Sequence, residues 1–422
     1  MEAIKNLFHK VAHNFMLVYF IVILIIIVPT ALTKPSLSFR NAIVTAVGID
    51  ESEQGVDVSV LTLSQISQGD NKENNKLVVA SGSSVASALG ALEIRLGRKV
   101  QMGHVKFVVI SETLAQKNDI SVFIDNFIRT SRVSNTVTLV VCEDKAQKIL
   151  DSANKLSESS SYNLSEIISN DYNDTFTKES SIDYFYKGYF SPNKTSSVGY
   201  ISMTSNPNQG LIVSDEQQGG QGQSSSSDAS QNESQQTSQN KEEILSFNRQ
   251  IVVFKNGKMD RLLTMEEVEG INWITSESTR QHVKINNLTD EPNNLYDANL
   301  VLEVHRKSVQ TIASFENQVP IITYKIRVDF NTLEINQKND NISNNNILMS
   351  PKLSQAINDE AKKQFGNVLN KLKADNADIM EVYAIFNSAH NKKFQKFLKD
   401  LKNPDDYLKY IQFQLDVYSD FE

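Results

Sequence analysis

The hydrophobic positions of this chain fall into one long continuous run and a series of short periodic groups. The continuous run, FMLVYFIVILIIIVPTAL from Phe15 to Leu32, carries no charge. As a helix it covers about 27 Å at about 1.5 Å per residue, close to the thickness of a bilayer core. Beyond it, NAIVTAVGIDESEQGVDVSVLTLSQI alternates apolar and polar positions, with Val56, Val58 and Val60 on one face. The polar, glycine-containing break in its middle predicts a β-hairpin. In SSVASALGALEIRLGRK the period changes: Val85, Leu89, Leu92 and Leu96 recur at helical spacing, with serines before them and Gly97 after them as cap signals. HVKFVVIS then predicts a strand. DISVFIDNFIRTSR predicts a helix with Ile120, Phe123, Ile124, Phe127 and Ile128 on its apolar face, TVTLVVC a strand and KAQKILDSA a helix. This alternation predicts an α/β domain.

The pattern stops at SDEQQGGQGQSSSSDASQNESQQTSQNKEE, Ser214 to Glu243, which is rich in Ser, Gln and Gly and almost free of aliphatic residues. Such a stretch has too little apolar surface to offset the entropy of ordering, so it reads as a disordered linker. Periodicity returns in QIVVFKNGKMDRLL, where Asn256-Gly257 separates two apolar runs, a strong hairpin signal because both residues tolerate positive φ. NLVLEVHRKSVQTI and PIITYKIRVDFNTLEI predict long strands of a substantial sheet. SPKLSQAINDEAKKQFGNVLNKL predicts a long helix with Ser350 as N-cap, Pro351 at the first helical position, and an apolar stripe of Leu353, Ile357, Ala361, Phe365, Val368 and Leu372. YLKYIQFQLDVYSD predicts a closing strand. The expected organisation is therefore an anchor at 1–39, an N-terminal domain at 40–213 that could divide near 150, a linker at 214–243, and an α+β domain with a long helix at 244–422. The fold class is mixed α/β (α+β), membrane-anchored, with two to three domains of mixed or antiparallel sheets and packed helices.

Composition narrows the function. The net charge of −8 in 422 residues leaves no global basic field, which argues against a nucleic-acid partner. Cys142 is the one cysteine, so an intrachain disulfide, a cysteine zinc site and a CxxC redox pair are all excluded. The apolar run could be a cleaved signal or a retained anchor. The following VPTALTKP matches a small-residue cleavage site poorly, and no lipidation cysteine stands there, so the run reads as an uncleaved single-pass anchor in the membrane. Lys5 and Lys10 before it balance Lys34 and Arg40 after it, and charge alone leaves its orientation open.

Chemistry-bearing residues are scattered. Arg95, Arg98 and Lys99 fall at the C-terminal end of the Val85–Leu96 helix, where the dipole favours cations and repels anions, so the cluster reads as structural. His104, at the start of the next predicted strand, has no second histidine or acid at catalytic spacing. The acids of MEEVEG (Glu266 to Gly270) and PDD (Pro404 to Asp406) read as solvated. Asp50, Glu51, Glu53 and Asp57 surround a turn but lack EF-hand spacing, and also read as solvated. N-x-[ST] triplets at Asn163 and Asn287 follow from an Asn-rich composition. Phosphate-loop and nucleophile-elbow motifs are missing. No catalytic, cofactor-binding or metal-binding residue is assigned, and no cofactor is expected.

The order of larger blocks adds to this. FRNAIVTAVGIDE, ASALGALEIRLGRKVQMGHVKFVVISETLAQ and FIDNFIRTSRVSNTVTLVVCEDKAQKIL together resemble the N-terminal domain of the Ger(x)C family, the C subunits of bacterial spore germinant receptors. IDYFYKGYFSPNKTSSVGYIS and RQIVVFKNGKMDRLLTMEEVEGINWIT are similar to its middle blocks. LSQAINDEAKKQFGNVLNKLKADNADIMEVYAIFN is similar to its long helix followed by a short strand around Asp378-Ile379. The resemblance implies a non-enzymatic receptor subunit on the outer face of the spore inner membrane, acting with integral-membrane A and B subunits in germination triggered by a small nutrient. Family members are typically anchored through a lipobox cysteine; here the apolar helix would replace the lipid. The rival reading is a solitary anchored protein that captures a solute itself. A deep, partly apolar cleft with a few convergent polar groups would mark a solute binder; broad patches would mark a scaffold.

Overall fold

The computed structural model describes residues 19, 23–24, 41–63, 76–129, 133–159, 180–204, 244–246, 250–275, 280–337 and 347–418. Two sheets organise them. The first carries ten strands. The predicted hairpin is β1 (Asn41–Ser52) and β2 (Gly55–Thr62), and β3 (Lys76–Gly82) extends it antiparallel. Helix α1 (Val85–Leu96) follows, capped as its sequence predicts: Ser84 and Ser87 form a reciprocal capping box, and Gly97 ends the helix at φ 61°. The short β4 (Lys99–Gln101) pairs parallel with the start of β1. Next come β5 (Phe107–Ser111), α2 (Glu112–Lys117), α3 (Ser121–Arg129), β6 (Thr138–Cys142), α4 (Ala146–Ser159), α5 (Ile182–Tyr189) and β7 (Thr195–Thr204). Strands β1, β5, β6 and β7 form a parallel centre.

Both faces of that centre are covered, so its strands are apolar at nearly every position. In β5, Phe107 and Val109 face α4, whose Ala146, Ile149, Leu150 and Ala153 complete one core layer. Val108 and Ile110 face the other layer, with Leu92 of α1, Leu114 of α2, Ile124 and Phe127 of α3 and Phe185 of α5.

The sheet crosses the boundary expected at residue 244. Beyond residue 243, β8 (Ile244–Ser246) pairs with the end of β7, β9 (Ile251–Lys255) pairs antiparallel with β7, and β10 (Lys258–Leu262) closes the edge. The β9–β10 turn is the predicted Asn256-Gly257, at φ 52° and 76°. Helix α6 (Met265–Asn272) follows and leads into the second unit. Its four-stranded sheet has the order β11 (Arg280–Asp290), β12 (Leu295–Glu316), β13 (Val319–Asn336) and β14 (Gln412–Tyr418), with β14 parallel to β13 and the other pairs antiparallel. Against it lies α7 (Pro351–Asp375), started by Ser350 and Pro351, and every residue of its predicted stripe from Leu353 to Leu372 is buried. A further helix, α8 (Val382–Asp400), packs Phe386 and Phe394 into the same core. The strand expected around Asp378-Ile379 is instead a turn between α7 and α8.

Among the described residues no helix is long and apolar enough to cross a membrane. The run from Phe15 to Leu32 lies outside them except for Tyr19, Ile23 and Leu24, which are helical; Asn163 and the stretch from Ser214 to Glu243 also lie outside.

Candidate functional site

The basic cluster does not converge on anything. Arg95 turns back to donate from Nη1 to the Val79 carbonyl of β3, Arg98 is exposed beyond the α1 cap, and Lys99 opens β4 beside Asn41. His104 is exposed in a turn between β4 and β5, ahead of the strand it was expected to open. A cleft of about 560 Å³ lies between α1 and β4, lined among others by Leu89, Glu93, Lys99, Met102 and Asn126. Glu93 is already engaged there, accepting from the Val100 N–H at 3.1 Å.

Two of the acids read as solvated are buried. Asp50 accepts from the backbone N–H groups of Ala146 at 2.6 Å and Gln147 at 3.0 Å, so it caps α4 from a strand far away in sequence. Burial pushes its carboxyl up, against the pull of those two N–H groups. Its neighbour Glu51 pairs with Lys117 at 2.7 Å, on the surface. Glu267 is 5% exposed and closes a capping box with Thr264 at the start of α6. Burial raises its titration, but Lys371 at 2.8 Å, the Thr264 N–H and Arg261 outweigh that and hold it below the usual carboxylate range. Glu266 is exposed, and Asp406 pairs with Lys409 at 3.1 Å. Among the described residues no three His, Cys, Asp or Glu side chains gather as a metal site.

What does converge is the junction of the two units. Strand β9 belongs to both: Val252 and Phe254 enter the first core, while Ile251 and Val253 enter the second. Around it, the Tyr184 hydroxyl of α5 donates to the Ile379 carbonyl at 2.7 Å, Asn193 donates to the Asn376 carbonyl at 3.3 Å, and Arg261 of β10 reaches Asp375 at 3.4 Å. The α7–α8 turn that receives these bonds is held by Asp378. Its carboxylate accepts from the N–H groups of Val382 at 2.8 Å and Tyr383 at 2.9 Å, and from the Tyr407 hydroxyl. Burial pushes the Asp378 carboxyl up, against these donors. Glu381, just before α8, sits in the left-handed region at φ 55°.

A cleft of about 270 Å³ opens at this junction. Tyr184 of the first unit lines one side; Ile271, Ile274, Tyr324, Glu381 and Ile385 of the second line the rest. Tyr324 is buried and its hydroxyl has no hydrogen-bond partner. The sequence signals for this site were faint: Tyr184 and Glu381 lie far apart along the chain, and Tyr324 sits in an ordinary strand pattern.

Residues 40–203 match the family described as the spore germination protein N-terminal domain, and residues 249–421 match the one described as spore germination B3/GerAC like, C-terminal. The second match includes β9 and β10, so the C-terminal family segment contributes the hairpin that completes the N-terminal sheet. Among solved structures, one titled "Crystal Structure of the GerBC protein" is similar over 88% of this chain and 96% of its own, with 12% identity and a TM-score of 0.48. No curated protein matches.

Proposed function

The chain belongs to the spore germination family that these two domains define, and from that membership we propose that it is the C subunit of a germinant receptor. It takes part in nutrient-triggered germination at the spore inner membrane, with the bulk of the chain on the outer face and the run from Phe15 to Leu32 as a single-pass anchor. It works beside two integral-membrane partners, the A and B subunits, and its own role is not catalytic. The observation that carries this reading is the pair of matches in order along the chain, on two units joined by the shared strand β9. No enzyme family is among the matches. The linker at 214–243 would separate the two family domains in sequence without separating them in space.

Spores lacking this chain test the proposal. They are expected to lose germination to one class of nutrient while still germinating with a non-nutrient trigger. Affinity purification of the tagged chain from solubilised inner membrane should bring down two multi-span proteins. A chain that purifies alone, from spores whose nutrient response is intact, would refute the subunit role. The junction cleft favours one element of the rival reading, that this chain itself touches a small molecule.

A further inference from the structure

The cleft between the two units has three features that packing does not account for. Its volume, about 270 Å³, corresponds to roughly nine water volumes at about 30 Å³ each, which suits a small metabolite. Its position, at a domain junction, is where ligand sites concentrate. Two of its polar groups are left unused. Tyr324 is 2% exposed and keeps a hydroxyl with no partner, although a phenylalanine would make the same edge contact with Phe365. A buried hydroxyl left unpaired is destabilising, so its retention asks for an acceptor brought from outside.

The second unused group is Glu381. A non-glycine residue at φ 55° and ψ 29° is strained backbone, and such residues gather at ligand sites. No hydrogen bond reaches its carboxylate from the described residues. The charged groups around it are Lys187 and Asp183 of α5 and Asp378 of its own turn. Lys187 already pairs with Asp183 at 3.0 Å. Around Glu381 one cation, Lys187, therefore stands against two acids, and the walls mix Ile271, Ile274 and Ile385 with Thr275 and Thr311. Such a place repels anions and favours a compact cation.

We infer that the junction cleft is a binding site for a small aliphatic ammonium carrying one oxygen acceptor: the ammonium pairs with Glu381, the stem lies on Ile271, Ile274 and Ile385, and the oxygen accepts from Tyr324. Because Tyr184 closes the cleft from the first unit, the ligand ties the two units together. The inference deepens the receptor reading by placing a small-molecule site on this chain, and rests on that reading only for what the ligand signals. Binding is measured without partners, so its failure leaves the partner experiment standing, and the reverse holds too.

The test uses the purified full-length chain in detergent, with 3-amino-1-propanol as probe and 1-butanol and 3-hydroxypropionate as neutral and anionic controls, titrated by ligand-observed NMR. The amine is expected to saturate in the millimolar range and each control to bind at least tenfold more weakly. Glu381→Gln should weaken the amine at least tenfold with the fold unchanged. Tyr324→Phe should weaken it severalfold and at the same time raise the thermal midpoint, since an unpaired buried hydroxyl is removed; a purely structural tyrosine would move the midpoint alone. Equal binding of the amine and 1-butanol, an unaffected Glu381→Gln variant, or no saturable binding of the amine would each overturn the inference.

Discussion

Val253 and Phe254 are neighbours on β9 and lie in different hydrophobic cores, Val253 among the side chains of the second unit and Phe254 among those of the first. A strand exposes alternate residues to opposite sides, so a single strand at the edge of one domain can serve as the inner wall of the other. Neither core is complete without β9, and the two units should therefore unfold together. The chain carries its own probes: its one tryptophan, Trp273, is buried in the second core, and its one cysteine, Cys142, is buried in the α4 layer on the opposite face of the first sheet. In urea, Trp273 fluorescence and Cys142 thiol reactivity should report the same midpoint. Phe254→Ala should shift both together, by about 3–5 kcal/mol as for other buried phenylalanines. Two separate midpoints would show that β9 does not couple the units.

Asp50 is a long-range helix cap, and its removal should be costly. Asp50→Ala leaves the Ala146 and Gln147 N–H groups without their acceptor, at about 1–3 kcal/mol for each donor left dry. Asp50→Asn keeps one acceptor oxygen and presents an NH2 to the other donor, so it should fall between wild type and Asp50→Ala. The order of urea midpoints checks this. A loss under about 0.5 kcal/mol for Asp50→Ala would mean that water replaces the carboxylate at the α4 terminus.

His104 and Leu92, near each other in sequence, should behave oppositely. His104 is exposed in a turn, so His104→Ala should leave stability within about 0.5 kcal/mol and germination within severalfold of wild type. Leu92 is fully buried, and Leu92→Asp puts an unpaired charge in a core, so the protein should not accumulate. Spores carrying each variant, assayed for germination and for protein level, decide both. A normally abundant His104→Ala protein that fails to support germination would reopen the search for a site at the α1–β5 connection.

Much of the fold was legible because its signals are local. The Ser84 and Gly97 caps, the Asn256-Gly257 turn and the Ser350-Pro351 start of α7 each depend on residues a few positions apart, and each stands where the sequence puts it. What was not legible depends on distance. QIVVFKNGKMDRLL reads as a hairpin from its own residues, but nothing in it says that β9 pairs with β7, some fifty residues earlier in the chain. Asp50 and Glu267 read as solvated because local counting cannot see the α4 terminus or Lys371. The junction cleft was hidden for the same reason: Tyr184, Tyr324 and Glu381 come from three separate elements.

Glu267 and Glu381 should give stability opposite pH dependences. Glu267 is held below its ordinary titration by Lys371, the Thr264 N–H and Arg261, despite its burial. Its contribution is therefore present above the unfolded carboxylate value, about 4.3, and is lost as pH falls through the lowered folded value. Glu381 is raised, chiefly by burial and further by Asp378 and Asp183, with Lys187 opposing. Its contribution is present below about 4.3 and is lost as pH rises through the raised folded value. Urea midpoints from pH 3 to 8 should show Glu267→Gln losing most against wild type near neutrality, and Glu381→Gln gaining there. Differences of the same sign would contradict this pair of assignments.

The segment between β7 and β8 should be replaceable by a short turn. Thr204 and Ile244 are paired residues of adjacent antiparallel strands, as are Met203 with Leu245 and Ser202 with Ser246, so residues 205–243 leave and return to the sheet at neighbouring positions. The closing distance is that of a hairpin, whatever lies between. Apart from Leu211, Ile212 and Val213, they are rich in Ser, Gln, Asn and Gly and offer little apolar surface for packing, so removal should cost few contacts. Closing a long loop costs entropy that grows slowly with length, about 0.6 kcal/mol per doubling. Replacing 205–243 by a four-residue Asn-Gly turn shortens the loop by roughly three halvings, which predicts a gain of up to about 2 kcal/mol. Thermal unfolding of the full chain with and without the replacement is the measurement. A fall of several degrees would show that the segment packs against the folded units and is more than a spacer.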